Sequence, residues 1–197
     1  MPADGVEELV AGRLAAAAET AAALASDAEL PARVAAAGTA MAVAYAEGRK
    51  AIFMGNGGSA AEATHIAGEL VGRYLEDRAP LPALALADSS PSVTAIANDY
   101  SFEMTFARQV IAFAQPGDVV VGLSTSGRSS NVVNGLRAAR EIGAVTIGLT
   151  GRDAGEIGGH CDHLLAVPSD ETPRIQEGHA VIGHTLCEIV ERSLSAA

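Results

Sequence analysis

Aromatic side chains are scarce in this sequence. Among 197 residues there is no tryptophan, and aromatics make up 4% of the chain against 49% for apolar residues as a whole. Alanine fills most of the difference, which suits closely packed helices better than a core of large rings. Lysine is nearly missing as well: Lys50 is the only one, and 13 basic residues face 24 acidic ones for a formal net charge of −11. That sign repels phosphate backbones and anionic lipid, so general nucleic-acid and membrane binding are excluded as expectations. An anionic substrate would need a local trap of amides, hydroxyls and a few arginines. The two cysteines, Cys161 and Cys187, are too few for a disulfide scaffold and predict free thiols in a reducing cytosol. No apolar run reaches the roughly 20 residues of a membrane span. The N-terminal MPADGVEELV is acidic where a secretory signal is basic, so a cytoplasmic location is expected. There is no Walker A loop and no GxGxxG fingerprint at the first glycine turn, and no nucleotide or redox cofactor is expected.

What is present is a stretch around which the chain is organised, AIFMGNGGSAAEATHIAGELVGRY, Ala51 to Tyr74. It reads as a buried strand over Ala51–Met54, a glycine turn, and a helix opening near Ser59, with Ser59 as its N-cap. Glycines let backbone amides approach an anion, and a helix N-terminus adds partial positive charge at the same spot. Ahead of it, Val6–Ser26 has helical spacing. Pro31 marks a break, and a second helix is predicted from about Ala32 to Glu47, with Gly48 as C-cap. This pair, residues 1–48, reads as an oligomerisation element, because small residues permit close helix contacts and so short a pair leaves apolar surface over. A local helical cap is the plainer alternative. Residues 49–197 read as one α/β unit continuous with it. Further strands are expected at Pro80–Ala87, Asp118–Ser124, Ala144–Thr150 and His163–Val167. Helices are expected from Pro91 and over Phe102–Ala114, Asn131–Ile142 and Pro173–Leu194. Alternation of this kind predicts a five-stranded parallel sheet, doubly wound and flavodoxin-like, with ligands beyond the carboxyl ends of its strands.

Two turns at such strand ends carry hydroxyls and glycines. GNGGS spans Gly55–Ser59, and STSGRS places Ser124, Thr125, Ser126 and Ser129 together. A phosphate monoester accepts many hydrogen bonds, so neutral donors can hold it without lysine. Either turn alone would serve as a plain strand-to-helix connection or cap; two on one sheet favour phosphate. His65 and Glu69 stand i, i+4 on one helix face and suit metal or acid/base chemistry, unless they form only a weak surface pair. The final helix offers Gln176, Glu177, His179 and His184. Gln176 and His184 are offset by about 80° and face one pocket only if the helix crosses it obliquely. His184, in AVIGHTLCEIV, would otherwise be a core histidine satisfied by a carbonyl. Glu177 and His179 read as supporting or exposed groups. GHCDHL, Gly159–Leu164, lacks a second cluster at metal-ligand spacing and reads as a polar turn. Cys187 reads as inert packing.

GNGGSAAEATHIAGELVGRY, STSGRSSNV and RIQEGHAVIGH together resemble the phosphoheptose isomerase family of the sugar-isomerase (SIS) superfamily, over nearly the whole chain. The resemblance implies a single SIS domain whose Ser59, Ser124, Ser126 and Ser129 bind phosphate, with Asn56, Gly57, Gly58 and Thr125 assisting. It implies one zinc per subunit on His65, Glu69, Gln176 and His184, with Glu69 as catalytic base and His184 as catalytic acid. Arg73, Asn98, Asp99, Glu69 and Gln176 would contact substrate. It also implies a homotetramer with active sites at subunit interfaces. The implied reaction takes sedoheptulose 7-phosphate to D-glycero-D-manno-heptose 7-phosphate through an enediolate, the first step of activated heptose biosynthesis. Members often carry an Asp three residues before the glutamine; here that place is Pro173, and Asp170 or Glu171 of SDETPR would have to substitute. The competing readings are a non-catalytic SIS protein that binds a replication initiator or senses sugar phosphate, and another sugar-phosphate isomerase. Glu69 and His184 together argue against them.

Overall fold

The computed structural model describes residues 3–195. Two helices come first, α1 (Ala3–Ser26) and α2 (Leu30–Ala46), followed by β1 (Ala51–Gly55), α3 (Gly58–Val71) and a short β2 (Ala83–Ala85). Next are α4 (Ser90–Asp99), a 3-10 turn at Phe102–Met104 that runs into α5 (Thr105–Phe113), β3 (Val119–Leu123) and α6 (Ser130–Ile142). The chain ends with β4 (Val145–Thr150), a 3-10 turn at Ile157–His160, β5 (His163–Ala166) and α7 (Thr172–Ser195).

All strand pairs are parallel, in the order β2-β1-β3-β4-β5. The order reverses between β1 and β3, whose register sets Gly55 opposite Leu123. The GNGGS and STSGRS turns therefore leave from neighbouring strands at the switch point, where open α/β sheets bind ligands. The expected architecture is the observed one.

The sheet is covered on both faces, which is why its strands read as unbroken apolar runs. Phe53, Val121 and Leu149 face a layer built from α2, α3 and α7 through Met41, Ile66, Leu70 and Leu186. Ile52, Met54 and Val120 face α5 and α6 through Phe106, Val110, Val132 and Leu136. A Cβ on Gly135 would sit 2.4 Å from the Met54 sulfur, so glycine there lets α6 lie close on the sheet. At the opposite end from the two turns, the buried Asp118 carboxylate accepts from Lys50 Nζ at 2.6 Å and from the backbone N–H groups of Lys50 and Gln115. The one lysine thus ties β1 to β3 far from the ligand end.

Two expectations need correction. Pro31 does not precede α2 but sits in its first turn, where a missing N–H costs nothing. Asp27 opens that helix instead, its carboxylate accepting from the N–H groups of Glu29 and Leu30. Gly5–Ser26 is, by length and composition alone, apolar enough to cross a membrane, with a mean hydropathy of 1.2. Its alanines raise that mean although Glu7, Glu8, Arg13 and Glu19 interrupt the run. In α2, Val34, Met41 and Tyr45 belong to the same core cluster as Phe53 and Leu186.

Candidate active site

The first turn opens α3 differently from the expectation. Gly57, not Ser59, is the N-cap, at φ 57°, a conformation that side chains with a Cβ avoid. Ser59 lies inside the first helical turn, buried, with its N–H donating to the Asn56 carbonyl. Asn56 and Asn131 exchange side-chain amide hydrogen bonds at 2.8 and 2.9 Å. Asn131 also donates to Thr105 Oγ1 and accepts from the Val132 N–H. Both polar ends of the Asn56 side chain are therefore engaged in joining the first turn to the start of α6. Asn131, buried at 1% exposure, is a residue that sequence reasoning missed.

In the second turn Ser124 Oγ donates to Ser129 Oγ at 3.0 Å, and Ser126 Oγ accepts from the Arg128 N–H. Gly127 takes φ 64°, and a Cβ there would meet the Ala154 carbonyl. Arg128 pairs with Asp153 at the surface. Among the described residues, the backbone N–H groups of Gly57, Gly58, Thr125 and Ser126 have no protein acceptor. Amides without acceptors, two serine-lined turns and two helix N-termini at one sheet end make an anion cradle.

The histidine–glutamate pair lies farther along α3. His65 Nε2 is 3.2 Å from Glu69 Oε1 and 3.3 Å from His184 Nε2, and the three ligand atoms all lie within 4.8 Å of one another. Two imidazole nitrogens and a carboxylate oxygen converging from α3 and α7 fit a zinc ion with a position left for an oxygen ligand. The rings of His65 and His184 meet edge to face, with centroids 5.0 Å apart. Glu62, one turn before His65, brings Oε2 to 3.8 Å from His65 Nδ1. Burial pushes the Glu62 carboxyl up, while His65 and His184 pull the other way. The i, i+3, i+7 spacing of Glu62, His65 and Glu69 was the signal that would have found it.

Gln176 joins this cleft, which holds about 490 Å³ and is lined also by Gly58, Glu62, His65 and Pro173. Its amide lies over Gly58 so closely that a Cβ there would come within 2.4 Å of Nε2. Gln176 thus shares a cleft with His65, while His184 is not among the residues that line it. Pro173 stands at the same cleft, whereas Asp170 and Glu171 pair with Arg152 and Arg13 beside α1. Neither acid takes the place that Pro173 leaves.

Other expected residues behave differently. The description of a core histidine satisfied by a carbonyl fits His179, not His184: His179 is fully buried and its Nε2 donates to the Thr150 carbonyl at 3.1 Å. Desolvation pushes its pKa down to about 4, so it is neutral. Glu177 is half-exposed and pairs with Arg174 at 2.5 Å. Arg73, Asn98 and Asp99 are exposed: Arg73 donates to the Leu75 carbonyl and Asn98 to Asp99. Asp99 is no part of the His65, Glu69 and His184 cluster, and Arg73 directly precedes Tyr74, whose ring stacks on His184. In GHCDHL, Asp162 accepts from the Thr146 N–H and hydroxyl, and Cys161 donates to the Ile157 carbonyl, so this is a structural turn. Burial pushes both thiols up to about 12, consistent with unreactive packing.

A five-stranded sheet in this order with paired serine turns at its switch point defines a SIS-domain protein, and the family model for the SIS domain matches residues 14–151. The phosphoheptose isomerase of Solidesulfovibrio magneticus is 57% identical over 162 residues, covering 82% of this chain and 79% of that protein. The phosphoheptose isomerase of Neisseria gonorrhoeae superposes with a TM-score of 0.89 at 37% identity, covering 95% of this chain and 99% of that one. That of Francisella tularensis gives 0.85 at 33% identity, with 98% and 99% covered. The chain belongs to the phosphoheptose isomerase family.

Proposed function

We propose that this chain is an aldose–ketose isomerase that interconverts sedoheptulose 7-phosphate and D-glycero-D-manno-heptose 7-phosphate, and that the residues act as follows. The substrate phosphate lies in the cradle of Gly57, Gly58, Ser59, Ser124, Thr125, Ser126 and Ser129, with Asn56 holding the two turns in register. From the start of α3 to His65 the helix advances about 10 Å. An open-chain heptose separates its phosphate from its reacting carbons by a similar length, at about 1.3 Å per carbon. That match supports a sugar lying along α3 with C1 and C2 beside Glu69 and His184.

Glu69 removes a proton from C1 of the ketose, the C1–H electron pair becomes the C1–C2 double bond, and the negative charge moves to O2. His184 gives a proton to O2 and takes one from O1. The proton held by Glu69 returns to C2, and the aldose forms. A proton next to a carbonyl is weakly acidic, so an oriented carboxylate and stabilisation of the developing oxyanion are both needed. His65, Glu69, Gln176 and His184 would hold one zinc, which when bound supplies Lewis-acid stabilisation of charge on oxygen. A glutamine oxygen is a weak neutral ligand, so a labile metal is expected.

One observation carries this reading: one ligand atom from each of His65, Glu69 and His184 lies within 4.8 Å of the other two. We further infer a cytoplasmic homotetramer, with residues 1–48 in its contacts and Arg73, Asn98 and Asp99 completing sites across subunit boundaries. The test is direct. Purified protein with sedoheptulose 7-phosphate forms the aldose; a chelator abolishes this and zinc restores it. Glu69→Gln ends turnover while sugar-phosphate binding remains. Tight binding without turnover under every metal condition would instead identify a sugar-phosphate sensor.

A further inference from the structure

His184 has a second aromatic neighbour that the reaction does not use. The Tyr74 ring stacks on its imidazole, with centroids 5.2 Å apart and planes 19° from parallel. His65 meets the same imidazole edge-on. One contact fixes the plane of the ring and the other the direction of Nε2. This matters because χ2 of histidine is a broad torsion that the backbone does not fix. His184 is also only partly buried on α7.

Tyr74 follows α3 in an irregular segment, which by itself would be a poor platform. Glu191 makes it one. Its carboxylate is 1% exposed and accepts from the N–H groups of Tyr74, Leu75 and Glu76 at 2.7, 2.8 and 3.2 Å, and from Arg78 Nε at 3.0 Å. Arg78 in turn donates to the carbonyls of Glu69 and Leu70 at 2.9 and 2.8 Å, closing the C-terminal end of α3. His184 and Glu191 are seven residues apart, so both project from one side of α7. A buried carboxylate with no part in the chemistry thus braces the segment that holds the His184 ring and, through Arg78, the helix end that carries Glu69.

We propose that Tyr74 is a positioning residue for His184, acting by ring stacking, and that Glu191 holds Tyr74 in place. The inference rests on the isomerase reading above, but one arm of its test does not. In the full-length protein, Tyr74→Leu, Tyr74→Phe and Glu191→Gln are compared with wild type for kcat, KM and zinc affinity, the last by competition with a chromogenic chelator. Circular dichroism reports folding. Tyr74→Leu is expected to lower zinc affinity and kcat about tenfold or more with KM little changed, as for other groups that orient a metal-binding histidine. Tyr74→Phe keeps the ring and should restore both to within about threefold. Glu191→Gln, which keeps the side-chain volume, should move the same two quantities in the same direction as Tyr74→Leu. Wild-type zinc affinity and kcat in folded Tyr74→Leu would overturn the proposal. So would a Phe variant as impaired as Leu, which assigns the role to the hydroxyl, or a change in KM alone, which assigns Tyr74 to substrate binding. Were wild type itself inactive, the isomerase reading would fall, and zinc affinity would still decide the role of Tyr74.

Discussion

Glycine at position 58 is required by its neighbour, not by its own backbone. The added methyl of Gly58→Ala would meet Gln176 Nε2 at 2.4 Å, and that atom ends a flexible side chain. The fold should therefore survive while the amide is pushed aside. A misplacement of about 1 Å near reacting groups costs up to about a hundredfold, so kcat/KM should fall ten- to hundredfold with the melting temperature nearly unchanged. His179 supports the opposite prediction, a change in stability that leaves the chemistry alone. Its folded pKa of about 4 lies below the ordinary 6.5 because burial disfavours the cation. Between those values the unfolded chain binds the extra proton, so stability is complete above pH 6.5 and falls as the pH drops towards 4. The drop amounts to about 3 kcal/mol from this group. Thermal melts across that window should show the loss, and His179→Gln should flatten it.

At the scale of elements, the anion cradle depends on two turns, Gly55–Ser59 and Ser124–Ser129, that are distant in sequence and held together by one pair of amides. Asn131→Ala removes its bonds to Asn56, Thr105 and Val132 at once. Each buried partner left unsatisfied costs about 1–3 kcal/mol, so the melting midpoint should fall clearly. Inorganic phosphate should also bind more weakly, by titration calorimetry, because GNGGS and STSGRS lose their common register. This link marks where the sequence stopped being legible. The strand cores AIFMG, VVVGL and VTIGLT and the i, i+4 pair His65–Glu69 announce themselves locally, through apolar runs and helical period. Expected helix and strand ends fell within a few residues of the observed ones. Asn56–Asn131 and Tyr74–His184 have no local signal, because each joins elements that meet only after the sheet has formed. Ser59 was misread for a related reason: Gly57 can cap by conformation alone, and no residue preference distinguishes a cap from a buried first-turn hydroxyl. The core role expected as the alternative for His184 fell instead to His179, which had read as a supporting or exposed group, because the sequence does not fix the rotation of α7 that buries one and not the other.

For the whole molecule, the single chain leaves apolar surface exposed, and several of the expected substrate residues with it. Val6, Leu9, Val10 and Leu14 of α1 are 45–68% exposed, and α4 buries none of its residues. Arg73, Asn98 and Asp99 are exposed, and Asp99 is no part of the cluster that His65, Glu69 and His184 form. An assembly of identical chains would answer both deficits, covering the apolar stripe of α1 and bringing a neighbour's polar residues to each cleft. Leu14 tests this because it is 68% exposed in one chain, where Leu14→Arg should leave the melting of an isolated protomer almost unchanged. If the stripe is buried between copies, a two-fold contact repeats the substitution on both sides. Burying a leucine is worth about 1.5–3 kcal/mol, so the pair loses about 3–6 kcal/mol, a factor of roughly a hundred to ten thousand in dissociation constant. Sedimentation velocity at micromolar protein should then show Leu14→Arg as smaller species than wild type, with turnover falling in step with dissociation. A variant that sediments as wild type would leave α1 free of the contacts, and one that dissociates with full turnover would show that each chain carries a complete site.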